Sequence, residues 1–432
     1  MDHFSRTNGT LHAEGVSLAA LAARVGTPTY VYSRATIERH YRVMDQALQA
    51  LPHTICYSVK ACSNLAILGL LARLGSGFDI VSVGELERVL AAGGDRRKIV
   101  FSGVGKRDDE ITRALEVGIL AFNVESPWEL ERIAHVAASM GARAPISLRV
   151  NPDVDPKTHA YIATGLRSSK FGVPMDEARG LYRFAAANPH LDVVGIDCHI
   201  GSQIVEIEPL AHALDRVLAL VDELAADGIA LRYVDMGGGL GITYKDERPA
   251  PPEALGQAYA DRLRPRGLAL IVEPGRVIVG NAGVLLMRVL GVKDNGDRRF
   301  VIVDAAMNDN IRPSLYGAFQ ALEPVVQDDA PAMPVEVDVV GPICESGDFL
   351  AKGRALPPVA QGALLAMRSA GAYGFSMAST YNSRRRAAEV LVDGDRWSVI
   401  RKREELTDLW RDERTIDAAE AAMAEDGGQR GR

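Results

Sequence analysis

TICYSVKACSN, residues 54 to 64, opens with the β-branched and aromatic mixture of a buried strand and then delivers an ammonium, Lys60, at the strand's end. From this point on, short β-branched runs alternate with longer stretches of helical periodicity. That alternation is the pattern of repeated strand–helix units in a parallel sheet. The strand candidates are TICYSV (54–59), GFDIV (77–81), KIVF (98–101), ILAF (119–122), PISLRV (145–150), LDVVGIDCHI (191–200), LRYVDM (231–236) and LALIVE (268–273). Between them lie segments such as SPWELERIAHVAASMG, where Ser126 is placed to cap, Pro127 to start and Gly141 to stop a helix. Eight such strands predict a (β/α)8 TIM-type barrel, with a doubly wound sheet as the alternative.

After about residue 283 the texture changes to strands without long helices between them: VLLMRVLGV, FVIVDAAM, VEVDVV, GALLAM and AEVLVDGDRWSVIRK. The last contains Asp393-Gly394 between alternating runs, a hairpin signal. The expected organisation is an N-terminal segment, 1–33, whose TPTYVYS joins a mostly antiparallel β domain at 283–413. The barrel occupies 34–282, and a flexible tail runs from 414 to 432.

The 432 residues are 47% apolar and 24% charged, ample for a large core. A net charge of −7 without a long basic block argues against a nucleic-acid partner. Cys56, Cys62, Cys198 and Cys344 are scattered, with no zinc spacing, which fits reduced thiols in a cytoplasmic protein. The N-terminus lacks the pattern of an export signal. The most apolar region, 267–292, is interrupted by Glu273, Arg276 and Arg288, so no membrane span is expected.

In a barrel of this type the active site lies at the C-terminal strand ends. Lys60 ends the first strand, Asp79 lies in the second, His199 ends the sixth, Gly237-Gly238-Gly239 follows the seventh and Glu273 closes the eighth. A lysine in a dry site loses its proton easily and can form a Schiff base with a carbonyl; taken alone, one that snorkels to solvent is the commoner case. DMGGGLG (235–241) suits a phosphate through exposed backbone N–H groups, although glycine clusters also make ordinary turns. EPGR (273–276) offers a carboxylate to a ring nitrogen and a guanidinium to an oxyanion, or a plain ion pair. His199 beside Gly201-Ser202 is by default a core histidine, or a face for a flat cofactor. SGVGKRD (102–108) lacks the Ser or Thr of a P-loop. A metal- or carboxylate-based hydrolase would place paired acids or ligand clusters at strand ends, and none are read in the sequence.

YSVKA (57–61), FDIVSVGEL (78–86), SSKFG (168–172), HIGS (199–202), GGGLG (237–241) and EPGR (273–276) belong together with three later stretches. NDNIRPSLYGA (308–318), GPICESGD (341–348) and GAYGFSMASTYNSR (371–384) continue the set in order. Together they resemble the fold type III, alanine-racemase-fold, pyridoxal phosphate decarboxylases, across about residues 27 to 395. The resemblance implies that Lys60 holds pyridoxal 5'-phosphate as a Schiff base, His199 stacks on its ring and Glu273 pairs with its ring nitrogen. Gly239, Gly275 and Arg276 would lie near its phosphate and Tyr373 would touch it; Asp79, Ser202 and Gly238 are counted with this cofactor set. It also implies that Cys344 and Glu345 reach into the partner subunit's site, hence a homodimer with composite active sites. Cys344 or Lys60 is the expected acid for the final protonation.

Ornithine ends in a lone ammonium, whereas diaminopimelate ends in a carboxylate and an ammonium. Arg276, Arg312, Tyr316, Glu345 and Tyr373 form the expected substrate set, with arginines for the distal carboxylate and Glu345 for the distal ammonium. The expected reaction is therefore decarboxylation of meso-2,6-diaminopimelate to L-lysine, the last step of lysine biosynthesis. The alternatives are a relative acting on ornithine, arginine or carboxynorspermidine, and a regulator that kept the fold without the chemistry.

Overall fold

The first barrel strand, His53–Ser58, is buried over its last four residues and passes directly into a single tight turn, Val59–Ala61, that carries Lys60. The computed structural model describes residues 2–155, 169–327, 333–420 and 423. Within them the strands that follow the first are Gly77–Ile80, Ile99–Phe101, Ala121–Val124, Ala144–Asn151, Leu191–Asp197, Tyr233–Asp235 and Ala269–Val272. Each pairs in parallel with its neighbours, and the eighth pairs with the first, so the sheet closes on itself. A closed ring excludes the doubly wound alternative and directs every C-terminal strand end to one face.

The helices follow the periodicity of their segments. Pro127–Ser139 starts as expected, with Ser126 Oγ accepting from the Glu129 backbone N–H at 3.3 Å and Gly141 left-handed beyond its end. Glu129 does not reach back to its cap. Its carboxylate accepts from the Glu125 backbone and from Lys106 Nζ at 3.1 Å instead. Lys106, the lysine of SGVGKRD, is thus a buried structural cation that also donates to the carbonyls of Gly103 and Asn123. The barrel helix Arg34–Leu48 precedes the first strand, and after the eighth strand only the short helix Arg276–Val279 intervenes before the chain leaves the barrel.

The second sheet is built along the long strand Gly283–Asn295. Thr29–Ser33 joins it as expected, antiparallel to Gly283–Leu286 on one side and parallel to Ala388–Val392 on the other. Arg298–Val303 runs parallel to Val335–Val340, and the remaining pairings are antiparallel. The hairpin Ala388–Asp393 to Arg396–Arg401 turns through Gly394 and Asp395, one residue later than the sequence signal, with left-handed Gly394 at φ 65°. Three short strands, Phe4–Thr7, Thr10–Ala13 and Val16–Ser17, and the helix Leu18–Val25 pack Leu11, Leu18 and Leu21 against Val31, Val284 and Val390 of this sheet. Of the expected tail, 416–420 is helical, while 421–422 and 424–432 lie outside the described residues, as does Ser168 of the SSKFG motif. Among the described residues no helix is long and apolar enough to cross a membrane.

Candidate active site

Lys60 lies just past the first strand, where the backbone tightens into the turn Val59–Ala61. Its Nζ donates to Asp79 Oδ2 at 2.8 Å; Asp79 is fully buried, while the lysine side chain keeps 38% of its surface exposed to the cleft. Ser58 donates to the same carboxylate oxygen at 3.0 Å and to the Glu273 carbonyl at 2.9 Å. Burial lowers the proton affinity of Lys60, but Asp79 and then Glu273 more than reverse this, so its pKa is raised. The expectation of an easily deprotonated lysine is therefore corrected: a buried carboxylate holds the ammonium charged until something displaces it.

His199 lies two residues past the sixth strand, and its Nδ1 accepts from the Gly238 N–H at 3.2 Å. Burial, then Arg149 and Lys60, hold its pKa well below the usual value, so the ring is neutral with its proton on Nε2. The glycine loop also departs from expectation. The Gly237 N–H donates to Asp235 Oδ1 and that of Gly238 to His199, so two of the three glycines satisfy the protein itself. Their lack of side chains serves close approach, since a Cβ at Gly237 would stand 2.7 Å from His199 Nδ1 and one at Gly239 2.5 Å from the Gly201 carbonyl. Gly275 does the same for the eighth strand's loop, where a Cβ would meet Ala61 and Ser58 beside Lys60.

Glu273 is buried and accepts from Asn123 Nδ2 at 3.2 Å. Its pKa is pushed well up, by burial first and then by Asp235, Asp79 and Asp197. Asp197, Asp235 and Glu273 bring carboxylate oxygens within 4.8 Å of one another, which corrects the reading that no acids are paired at the strand ends. Asp197 and Asp235 were hidden because each is simply the last residue of its strand, and only closure of the barrel brings them together. Arg149 partly balances them, 3.1 Å from Glu125 and 3.9 Å from Asp197.

One cleft is lined by Lys60, His199, Ser202, the three glycines, Glu273, Gly275, Arg276 and Tyr373. Tyr373 is held there at a left-handed φ of 57°, its N–H donating to the Ala61 carbonyl at 2.8 Å. Arg276 donates to Ser202 Oγ at 3.1 Å and to Tyr244 Oη at 2.6 Å, and its Nε is buried without a hydrogen-bond partner. Arg312 is buried beside it, its guanidinium 4.8 Å from the Tyr244 ring centre and its Nη1 unpartnered. Tyr316 is half-buried on the same short helix, Arg312–Tyr316. Cys344 and Glu345 do not line this cleft. They are exposed, with the Cys344 N–H donating to Asn382 and Glu345 accepting from Tyr381 Oη.

An amine, a polar anion recess, a flat neutral imidazole and a buried acid thus face one another. The description "pyridoxal-dependent decarboxylase, pyridoxal binding domain" fits residues 34–280. The chain is 58% identical to the diaminopimelate decarboxylase of Pseudomonas aeruginosa, over 96% of this chain and 99% of that one. The chain belongs to the diaminopimelate decarboxylase family. The diaminopimelate decarboxylase of Vibrio cholerae is 56% identical over 95% of this chain and 98% of its own. The crystal structure of diaminopimelate decarboxylase from Helicobacter pylori complexed with L-lysine superposes with a TM-score of 0.88 at 44% identity, covering 91% of this chain and 98% of that one.

The cofactor of this decarboxylase family is pyridoxal phosphate, and the residues present fit it. The Ser202 hydroxyl beside the loops of Gly239 and Gly275, which no Cβ fills, suits its phosphate, Lys60 its aldehyde, and Glu273, whose proton affinity burial raises, its ring nitrogen. Tyr244, Asp235 and Asp197 stand at this family site without having been singled out in the sequence. Tyr244 follows Gly239 by five residues, so the loop after the seventh strand was the available signal.

Proposed function

We propose that the chain catalyses decarboxylation of meso-2,6-diaminopimelate to L-lysine and carbon dioxide with pyridoxal phosphate, as the last step of lysine biosynthesis in the cytoplasm. The observation that carries this reading is the pair of buried guanidiniums, Arg276 and Arg312, with unpartnered nitrogens beside the Lys60 cleft. Buried cations without partners call for an anion, and a distal carboxylate supplies one where an ornithine-like substrate has none.

When bound, pyridoxal phosphate supplies a conjugated ring that accepts the electron pair left as carbon dioxide departs. Lys60 would hold it through its aldehyde, His199, fixed by the Gly238 N–H, would cover one ring face, and Ser202 with the backbone of Gly239, Gly275 and Arg276 would cradle its phosphate. Asp79 orients Lys60 and stabilises its ammonium through a 2.8 Å hydrogen bond, so the free lysine is held charged beside the site. Glu273 would face the ring nitrogen, and its proton affinity, raised by burial and then by Asp235, would favour a proton held between the two. Arg312, Tyr316 and Tyr373 would position the distal end of the substrate.

Cys344 and Glu345 complete the site from a partner subunit in this reading, which the exposure of both residues away from their own cleft supports. Cys344 Sγ would deliver the proton that replaces the lost carboxylate, and Glu345 would accept from the distal ammonium. The protein thereby works as a homodimer with two composite sites.

The test is product analysis. Purified protein with pyridoxal phosphate and meso-diaminopimelate should yield equal amounts of carbon dioxide and L-lysine, and absence of lysine would overturn the proposal.

A further inference from the structure

Tyr244 joins the two arginines on which the proposed substrate reading rests. Its hydroxyl accepts from Arg276 Nη1 at 2.6 Å, and its ring lies under Arg312 at 4.8 Å and beside Arg276 at 5.7 Å. The two guanidiniums are only 7% and 6% exposed, and each keeps a buried nitrogen without a partner. Two like charges sharing one buried recess repel each other. A phenol between them lowers that cost twice, as an acceptor for one and as an electron-rich face for the other.

The loop that presents Tyr244 is fastened on both sides. Gln203 clamps Ile242 by donating to its carbonyl at 2.5 Å and accepting from its N–H at 3.2 Å. The Glu247 carboxylate accepts from the N–H groups of Tyr244 and Lys245 at 2.9 and 2.7 Å. Both clamps hold backbone, so the tyrosine ring is set before any ligand arrives. Such preorganisation raises selectivity without adding a contact.

We propose that Tyr244 is the specificity-positioning residue of this site: it spaces Arg276 and Arg312 so that together they grip the distal carboxylate of the substrate. This rests on the reading under Proposed function, and L-lysine against cadaverine separates the two ideas. The two molecules differ only by the carboxylate that the arginines would hold.

Dissociation constants of both are measured on the holoenzyme by calorimetry, for the wild type, Tyr244→Phe and Tyr244→Leu. The wild type should prefer L-lysine by about tenfold or more. Tyr244→Phe, which keeps the ring, should lose most of that preference and raise KM for meso-diaminopimelate with little change in kcat, and Tyr244→Leu should lose it entirely. Pyridoxal phosphate affinity and thermal stability of Tyr244→Phe should match the wild type, which excludes general damage to the site. A wild type without preference would overturn the distal-carboxylate reading itself. A wild type with the preference and a Tyr244→Phe variant that retains it in full would overturn the role of Tyr244 alone.

Discussion

Lys60 Nζ stands 2.8 Å from Asp79 Oδ2, a carboxylate with no exposed surface, and this pair fixes the resting charge of the residue on which the chemistry depends. An ammonium is not a nucleophile, so Lys60 must give up its proton before its amine can attack the aldehyde. Asp79→Asn removes the largest of the charges that raise the Lys60 pKa. The free amine then exists at lower pH. The pH profile for uptake of pyridoxal phosphate by the apoprotein, followed by absorbance, should shift to lower pH; an unshifted profile would contradict the pairing. Lys60→Ala should reduce turnover by on the order of 10³-fold or more while the fold, read by circular dichroism, is retained.

The buried acids predict an unusual pH dependence. Burial and mutual repulsion raise the proton affinities of Glu273, Asp197 and Asp235, the last to about 7. A carboxyl whose folded pKa exceeds its unfolded value stabilises the fold below the unfolded value, and that stability is lost as pH rises through the folded one. In the apoprotein, Asp235→Asn should thus gain about 1–3 kcal/mol more over the wild type at pH 8 than at pH 5. Thermal unfolding at the two pH values checks this. An equal effect at both would mean that Asp235 does not titrate in this window.

The eight strand runs were legible because each is a β-branched block bounded by turn residues, and Lys60, His199, Glu273 and Arg276 were legible because they interrupt or follow such blocks. Asp197 and Asp235 were not, because an acid at a strand end looks alike whether it meets solvent or two other acids. Tyr244 was equally silent, since its role depends on two arginines 32 and 68 residues away in sequence. In the second domain, Phe349–Leu356 alternates too weakly in FLAKGRAL to announce itself as a strand. The N-terminal strands are only two to four residues long, below what periodicity can register.

Arg312 contributes a guanidinium with a buried, unpartnered nitrogen, so truncation removes a charge that a substrate carboxylate should meet. Arg312→Ala should lower kcat/KM for meso-diaminopimelate by about 10²-fold, chiefly through KM. Unchanged steady-state kinetics would remove Arg312 from the substrate site.

The proposed composite sites make a complementation experiment decisive. Lys60→Ala and Cys344→Ala proteins are each expected to be inactive or nearly so. After subunit exchange, half of the dimers are hybrids, each with one intact site, so activity should return to about a quarter of the wild-type value. Exchange verified by mass without any recovery would place Cys344 outside the partner's site.

A lysine-anchored cofactor site beside two buried arginines should select a substrate with a distal carboxylate. Carbon dioxide release from meso-diaminopimelate and from L-ornithine, measured side by side on the same enzyme preparation, decides this. The expected kcat/KM ratio is about 10² or more in favour of meso-diaminopimelate. A ratio near one, or a preference for L-ornithine, would contradict it.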